Sequence, residues 1–270
     1  MEGDHELKEL LESIRSVYGY DFTEYAEASV KRRVVHFMDI NRISSIRELS
    51  KILVKEDTVF EQFVQEVTVN VTEMFRDPSF YKSLRENVCN RLATYPSIKV
   101  WIAGSSTGEE VYSVAILLKE EGLLERSVIY ATDINQLVLQ KGKEGIYPIS
   151  HMKNYTTNYL KAGGKNNFSD YYMARYDAVM LDKSIRQNIV FSVHNLTTDK
   201  SFNEFQLILC RNVLIYFNQQ LQSKVIDLFY ESLCPFGFLG LGNKEPLFFA
   251  TRKQQFEEID RKERIFMKKG

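Results

Sequence analysis

The 270-residue sequence predicts an α/β protein, with an all-α N-terminal segment ahead of a doubly wound, mainly parallel sheet. Up to about residue 75 the apolar residues recur only with helical spacing. From Lys99 onward, short β-rich runs alternate with helical stretches, which indicates right-handed βαβ crossovers. A hydrophobic fraction of 44% and a charged fraction of 26% are typical of a globular chain with a substantial core.

The helices of the N-terminal segment are predicted from apolar stripes and from residues typical of helix starts. One stripe comprises Leu7, Leu10, Leu11, Ile14 and Val17. Ser45-x-x-Glu48 has the form of a capping box, and Thr58-x-x-Glu61 opens a further helix in the same way. Asp77-Pro78 predicts an N-cap followed by proline at the first helical position, for a helix that reaches about Leu92.

The second part of the chain predicts a strand and helix alternation with one interruption. The predicted strands are 100–103, 127–132, 188–194, 205–210, 238–241 and 264–269, and helices are predicted at 110–120 and about 219–233, the latter broken by Pro235. The stretch from about 145 to 187 predicts an insertion whose aromatic run (Phe168, Tyr171, Tyr172, Tyr176) forms antiparallel strands. Such an insertion either binds a partner substrate or is an ordinary lid or long loop.

The overall charge and the cysteines exclude several classes of protein. A formal net charge of −1 argues against a dedicated nucleic-acid binder. No apolar run approaches the ~18–20 residues of a membrane helix, and the acidic N-terminus is unlike a signal peptide, so a cytoplasmic protein without membrane insertion is expected. The three cysteines are far apart and form no CxxC or Cys/His cluster, so neither a disulfide framework nor a metal site is predicted.

A basic island lies between two acidic stretches. Residues 1–27 carry 2 basic and 8 acidic side chains, residues 28–55 carry 7 and 2, and residues 56–80 carry 1 and 6. The densest part of the island is Lys31, Arg32 and Arg33, on a predicted helix that buries Val30, Val34 and Phe37. On charge alone, the cluster is either a solvated helix face or a docking surface.

A Gly/Ser/Thr turn between the first strand and the next helix predicts a ligand site. Gly104 and Gly108 allow close approach of the backbone to a ligand at the carboxyl end of a parallel strand. The order is neither GxGxxG nor GxxxxGK[ST], and Glu109 and Glu110 would repel phosphate. An acid at this helix start suits a cationic ligand.

The second predicted strand ends in Asp133, where such folds place an acid on the ribose hydroxyls of an adenosine group. A ligand with a ribose, a positive centre and no phosphate is S-adenosylmethionine. Each acid also has a structural interpretation, Glu109 as a first-turn residue stabilised by the helix dipole and Asp133 as a helix cap.

These residues belong to a set of five blocks that resembles the chemotaxis receptor glutamate methyltransferases, the CheR family. The blocks, in the family's order, are Asn70-Val71-Thr72-Glu73-Met74-Phe75-Arg76, Gly104 to Ser113 (GSSTGEEVYS), Ala131-Thr132-Asp133-Ile134, Asn195-Leu196 and Cys210 to Phe217 (CRNVLIYF). The sequence departs from the family pattern at Met74, Ser105, Val111 and Lys244. None of these four changes removes a polar group expected at the site.

The resemblance implies an N-terminal helical domain and linker (1–76) and a Rossmann-like S-adenosylmethionine-dependent methyltransferase domain (77–270) that carries the small antiparallel β insertion. It implies transfer of a methyl group to receptor glutamates, with S-adenosylhomocysteine as the second product. The positions that it places at the cofactor are Asn70, Thr72, Arg76, Gly104, Glu110, Asp133, Asn195, Leu196, Arg211 and Asn212.

The chemistry of esterifying a carboxylate indicates two catalytic candidates. A glutamate with an ordinary pKa near 4.3 is ionised at neutral pH, so alignment matters more than proton removal. Arg76 can grip the carboxylate at two points, and Tyr216 can add a hydroxyl donor. Alternatively, Arg76 is a structural partner of Glu73 or Asp77, and Tyr216 is part of the core.

The resemblance also implies a partner, the cytoplasmic domain of a methyl-accepting receptor, whose acidic helices suit Lys31, Arg32 and Arg33. We expect a monomer that binds no nucleic acid. A nucleic-acid base methyltransferase would carry Asp/Asn-Pro-Pro-aromatic where Arg211-Asn212-Val213-Leu214 stands. A methyltransferase or a cofactor-binding module of another signalling pathway is the remaining alternative.

Overall fold

The computed structural model describes residues 2–68, 72–245, 247 and 252–270. The N-terminal part is all-α, as predicted, with helices α1 (Glu2–Tyr18), α2 (Glu27–Asn41), α3 (Ile46–Lys55) and α4 (Asp57–Val67). Their apolar stripes meet in one core, to which α1 contributes Leu7, Leu10, Leu11 and Ile14. Val17, predicted to continue that stripe, is 52% exposed.

The helix starts differ in detail from the two predicted capping motifs. Ser45 caps α3 by accepting the Glu48 N–H at 3.2 Å, but the Glu48 carboxylate accepts from the N–H of Ser44 at 2.9 Å rather than from Ser45. The capping box is therefore displaced by one residue. α4 begins at Asp57, before Thr58, and Glu56 at its N-cap position forms no side-chain cap.

A seven-stranded sheet forms the centre of the second part. Its strands are β1 (Ile98–Ala103), β2 (Ser127–Asp133), β6 (Ile189–Val193), β7 (Phe205–Cys210), β8 (Leu233–Leu241), β9 (Phe256–Asp260) and β10 (Ile265–Lys268), in the order β6-β2-β1-β7-β8-β10-β9. The first five are parallel, and β10 and β9 add antiparallel pairs. This is the predicted doubly wound arrangement, with β9 as an additional edge strand that was not predicted.

The helices beside this sheet are α5 (Pro78–Asn87), α6 (Cys89–Leu92), α7 (Glu109–Glu120), α8 (Gln136–Glu144) and α11 (Gln219–Ser232). The helix predicted to run from Pro78 to Leu92 is interrupted at Val88. Pro235 does not follow a helix end directly but lies within β8, at residues that β10 does not pair with. A proline is tolerated there because no ladder hydrogen bond is needed from its nitrogen.

The insertion is a three-stranded antiparallel sheet with two helices. Strands β3 (Ile146–Pro148), β4 (Tyr172–Arg175) and β5 (Ala178–Leu181) pair in the order β3-β5-β4, with α9 (Met152–Lys161) and α10 (Lys183–Arg186). The predicted antiparallel strands are present, but Phe168 and Tyr171 lie in a 3₁₀ turn and are buried in the core. None of the helices in the described part of the chain combines the length and apolar character that a bilayer-spanning segment requires.

Candidate active site

A cleft of about 980 Å³, partly open to solvent, lies at the carboxyl ends of the parallel strands. Gly104, Ser105 and Ser106 follow β1, Asp133 ends β2, His194 to Thr197 follow β6, and Arg211 to Val213 follow β7. The ends of parallel strands converge at this edge, where open α/β sheets bind their ligands. The linker residues Thr72, Glu73 and Arg76 complete the wall on one side.

The loop after β1 is shaped by glycine and held by Asp133. Gly104 has φ of 77°, and a Cβ there would lie 2.4 Å from Cγ2 of Val213. The N–H of Ser106 donates to the Asp133 carboxylate at 2.9 Å. The hydroxyl groups of Ser105 and Ser106 are buried and have no hydrogen-bond partner among the described residues. The loop thus presents polar groups to the cleft at close range.

Asp133 is a partly buried carboxylate held by backbone amides. Besides Ser106, the N–H of Asn135 donates to it at 3.0 Å. Burial raises the pKa of Asp133, and the backbone N–H donors oppose that rise. Its role toward the helix that follows is small, since Asn135 caps α8 by accepting the Leu137 N–H. The capping interpretation of Asp133 is therefore not what the structure shows.

Glu110 is held at the cleft by Arg211. The Arg211 guanidinium, 1% exposed, donates to Glu110 at 3.3 Å and to Asp77 at 2.8 Å, and it lies 4.1 Å from the ring centroid of Phe80. Burial raises the pKa of Glu110, and the charge of Arg211 opposes this. Arg211 lines the cleft, but its polar contacts tie α7 to the linker.

The linker that carries Thr72 and Arg76 is fixed by unusual backbone angles and by contacts to both neighbouring elements. Phe75 and Asp77 have φ of 53° and 56°. The N–H of Phe75 donates to Ser113 Oγ at 2.8 Å. Asp77 occupies the N-cap position of α5 without capping it, because its carboxylate accepts from Arg211 instead. Asn70 lies outside the described residues.

Tyr216 lines the cleft and lies near three arginines and the carboxylate of Glu245. The Arg33 guanidinium lies 5.9 Å from the centre of the Tyr216 ring, and Nη1 of Arg33 donates to the Glu66 carbonyl at 3.0 Å. Burial raises the pKa of the Tyr216 hydroxyl, as does the charge of Glu245, whereas the charges of Arg33, Arg76 and Arg32 lower it. Tyr216 and Arg76 both line the cleft, so the two predicted catalytic residues lie in one site.

The three residues of the basic cluster on α2 have different surroundings. Lys31 forms an ion pair with Asp4 of α1 at 2.6 Å. Arg32 is exposed, and Arg33 is partly buried and faces Tyr216. Of the three, Arg33 lies against Tyr216, which lines the cleft.

The remaining predicted positions lie in two turns of the cleft wall. The side-chain oxygen of Asn195 accepts from the N–H of Thr197 at 3.0 Å and thereby fixes the turn that presents Leu196. Asn212 has φ of 61°, and its N–H donates to Glu245 at 2.8 Å.

Sequence reasoning missed three residues that build this site. Tyr25 and His194 line the cleft, and the 3% exposed carboxylate of Glu245 holds the turn at Asn212. Glu245 follows Lys244, the departure noted above, which is exposed. The position of His194 at the end of a predicted strand could have indicated a place in the cleft. No sequence pattern indicated this for Tyr25, because it belongs to the all-α part of the chain.

The polar groups that line the cleft suit S-adenosylmethionine. Two carboxylates, Glu110 and Asp133, face a cleft that also contains the Ser105 and Ser106 hydroxyls and Nδ1 of His194, none of which has a hydrogen-bond partner within the described part of the chain. Carboxylates suit an ammonium group and ribose hydroxyls, and buried polar atoms without partners are the groups that a polar ligand satisfies.

The chain matches two family descriptions, "CheR methyltransferase, all-alpha domain" over residues 5–68 and "CheR methyltransferase, SAM binding domain" over residues 70–265. It is 48% identical over 265 residues to the Pseudomonas putida protein Cher3 (98% of this chain, 97% of that protein). It is similar to the chemotaxis protein methyltransferases of Salmonella typhimurium (30% over 234 residues; 81% and 77%) and Listeria innocua (29% over 231 residues; 85% and 85%). The chain therefore belongs to the CheR methyltransferase family, and its cofactor is S-adenosylmethionine.

Proposed function

We propose that the protein transfers a methyl group from S-adenosylmethionine to the γ-carboxylate of glutamate residues in the cytoplasmic domain of methyl-accepting chemotaxis receptors, forming glutamyl methyl esters. The observation that carries the proposal is that Arg76 and Tyr216 line one cleft, with the Arg33 guanidinium 5.9 Å from the centre of the Tyr216 ring. Guanidinium groups beside a hydroxyl donor suit an anionic acceptor. The relatives named chemotaxis protein methyltransferases support the receptor as its source.

The proposed reaction needs alignment and desolvation of the acceptor rather than a base. When bound, S-adenosylmethionine supplies an electrophilic methyl group on a sulfonium centre. A carboxylate oxygen forms the new O–C bond as the C–S bond breaks, leaving a neutral ester and a neutral thioether. In this proposal Arg76 grips the carboxylate at two points, and the Tyr216 hydroxyl donates to it. Burial keeps that hydroxyl protonated by raising its pKa.

We propose that the cofactor is held by groups on every strand end of the cleft. Glu110 would bind the ammonium group, with Arg211 holding Glu110 in place. Asp133 would bind the ribose hydroxyls. Backbone and side-chain groups of the surrounding loops complete the proposed set, namely Thr72, Arg76, Gly104, Asn195, Leu196 and Asn212.

The test of the function is transfer of labelled methyl groups to receptor cytoplasmic fragments, with mass mapping of the modified residues. We expect alkali-labile label on glutamates. Base-stable label, or label only on proteins outside receptor pathways, would contradict the proposal.

The test of the site uses Arg76→Ala, with Arg126→Ala as the control because Arg126 is exposed and precedes β2, at the opposite end of the parallel strands from the cleft. The Arg76 variant should lose turnover by at least 100-fold, since one charge-assisted bidentate contact is worth roughly 3 kcal/mol. Its affinity for S-adenosylhomocysteine should change by much less. If both quantities equal those of the Arg126 variant, the role given to Arg76 is wrong.

The proposed docking role of α2 is tested with a matched pair. Arg33→Ala should lower kcat/KM for a receptor fragment more than Lys31→Ala, because Lys31 is paired with Asp4 whereas Arg33 lies against Tyr216 of the cleft wall. Raising the ionic strength should lower kcat/KM of the wild type more than kcat/KM of the Arg33 variant. Equal losses in both variants would favour a diffuse surface charge.

A further inference from the structure

The all-α domain reaches the cofactor cleft through residues 19–26, the turn that joins α1 to α2. We propose that Tyr25 in this turn is part of the cofactor site and that its hydroxyl group binds the ribose of S-adenosylmethionine beside Asp133. The inference rests on the cofactor and on the geometry of the turn, and it does not depend on which substrate accepts the methyl group.

Backbone contacts fix the turn against the methyltransferase domain. The N–H of Ala26 donates to the Tyr216 carbonyl at 2.8 Å, and the N–H of Asn218 donates to the Glu24 carbonyl at 2.9 Å. These two bonds flank Tyr25, which bridges to Phe217 in antiparallel fashion. The position of the Tyr25 backbone is therefore set by the segment that carries the catalytic candidate Tyr216.

Ring contacts fix the Tyr25 side chain on two sides. Its ring centroid lies 4.9 Å from that of Phe217 and 5.1 Å from that of Phe22, in edge-to-face geometry in both cases. Aromatic pairs of this kind hold a ring in one orientation. With its apolar faces occupied in this way, Tyr25 lines the cleft together with Asp133 and Ile134.

The surroundings of the hydroxyl point to the ribose end of the cleft. Burial and the charge of Asp133 raise the pKa of Tyr25, so the hydroxyl stays protonated and can donate. A second tyrosine of the same turn, Tyr20, donates to the carbonyl of Ile134 at 3.2 Å, next to Asp133 in the chain. The turn thus approaches the residue that, in folds of this class, binds the ribose hydroxyls.

The proposed cofactor contact and the proposed substrate-docking helix are neighbours in the chain. α2 begins at Glu27, two residues after Tyr25, so the helix that carries Arg33 and the proposed ribose contact share one short segment. A cofactor contact at Tyr25 would therefore lie close to the start of the helix proposed to dock the substrate.

The experiment is calorimetric titration of the full-length protein with S-adenosylhomocysteine. Tyr25→Phe should weaken binding about three- to tenfold, the value of one neutral hydrogen bond, because it removes the hydroxyl and retains the ring. The matched control is Tyr18→Phe, which loses a hydrogen bond to the Leu53 carbonyl inside the helical domain. We expect the control to bind within twofold of the wild type.

Ligands that lack either the 2′ or the 3′ hydroxyl locate the contact. With one of them, the penalty of Tyr25→Phe should disappear. An unchanged Kd for Tyr25→Phe, or an equal penalty with every ligand, would overturn the proposal.

A measurement on the wild-type chain needs no variant. S-adenosylhomocysteine should slow amide hydrogen exchange in residues 20–26, and unchanged exchange there would also overturn the proposal. Neither measurement involves a receptor, so its failure leaves the proposed substrate untouched.

Discussion

Glu109 is expected to make the stability of this protein depend on pH in the direction opposite to that of most carboxylates. The side chain is 6% exposed at the start of α7, accepts from the Thr107 hydroxyl at 2.6 Å and lies 3.5 Å from the Tyr155 hydroxyl of the insertion. Burial raises its pKa from 4.5 to about 7. The folded protein therefore holds this proton up to a higher pH than the unfolded chain does.

The folded state binds the Glu109 proton more tightly than the unfolded chain does. Between about pH 4.5 and pH 7 the unfolded chain loses this proton while the folded state retains it, so the free energy of unfolding falls as the pH rises through this window. A pKa difference of this size corresponds to a loss of about 2–3 kcal/mol between pH 5 and pH 8.5, most of it below pH 7. Glu109→Gln removes the titration and preserves a side chain that can accept from Thr107.

The assay is urea unfolding of the wild type and Glu109→Gln at several pH values from 5 to 8.5. We expect the stability of the variant relative to the wild type to increase with pH by about 2–3 kcal/mol. Glu125→Gln serves as the control, because this exposed carboxylate should leave the difference flat. If the stability difference between Glu109→Gln and the wild type does not change with pH, the reasoning that burial of this carboxylate governs its protonation is refuted.

Two further substitutions test the cleft. Arg211→Met leaves the buried Glu110 and the Asp77 carboxylate without their cation, so it should lower the free energy of unfolding by about 3–5 kcal/mol and weaken S-adenosylhomocysteine binding; a loss below 1 kcal/mol in urea unfolding would contradict the buried pairing. Gly104→Ala places a Cβ 2.4 Å from Val213 Cγ2 at a φ of 77°, so we expect about 1–3 kcal/mol of destabilisation and weaker binding in calorimetry. Wild-type affinity in this variant would show that the loop relaxes without cost.

Sequence patterns predict a helix or strand well when its apolar residues recur with a single spacing and its two ends are marked by turn or capping residues. β7 runs over Phe205–Cys210 as predicted, and α7 differs from its prediction by one residue. The fold class followed from the same signals, because alternating strands and helices leave few topologies. The Gly104 loop and Asp133 were found because strand ends in a parallel sheet converge.

Contacts between residues far apart in sequence decided what local patterns did not predict. Asp77 has the sequence context of a helix cap, but Arg211, 134 positions later, takes its carboxylate. Tyr25 belongs to a helical segment by pattern and reaches the cleft only because Glu24 and Ala26 pair with the turn around Phe217. No window of neighbouring residues contains that information.

The charge of the basic island also depends on which of its side chains form ion pairs in the fold. By segment counts, residues 28–55 carry a net +5 beside a net −6 in residues 1–27. In the fold, part of this cancels locally, since Asp4 pairs with Lys31 and Glu6 pairs with Arg47. Arg33 instead lies against Tyr216, where its charge adds to that of Arg76. We therefore expect an acidic substrate to be attracted toward Tyr216 by the part of the basic island that α1 does not neutralise, and a total charge near zero is compatible with a local cluster of positive charge beside that residue.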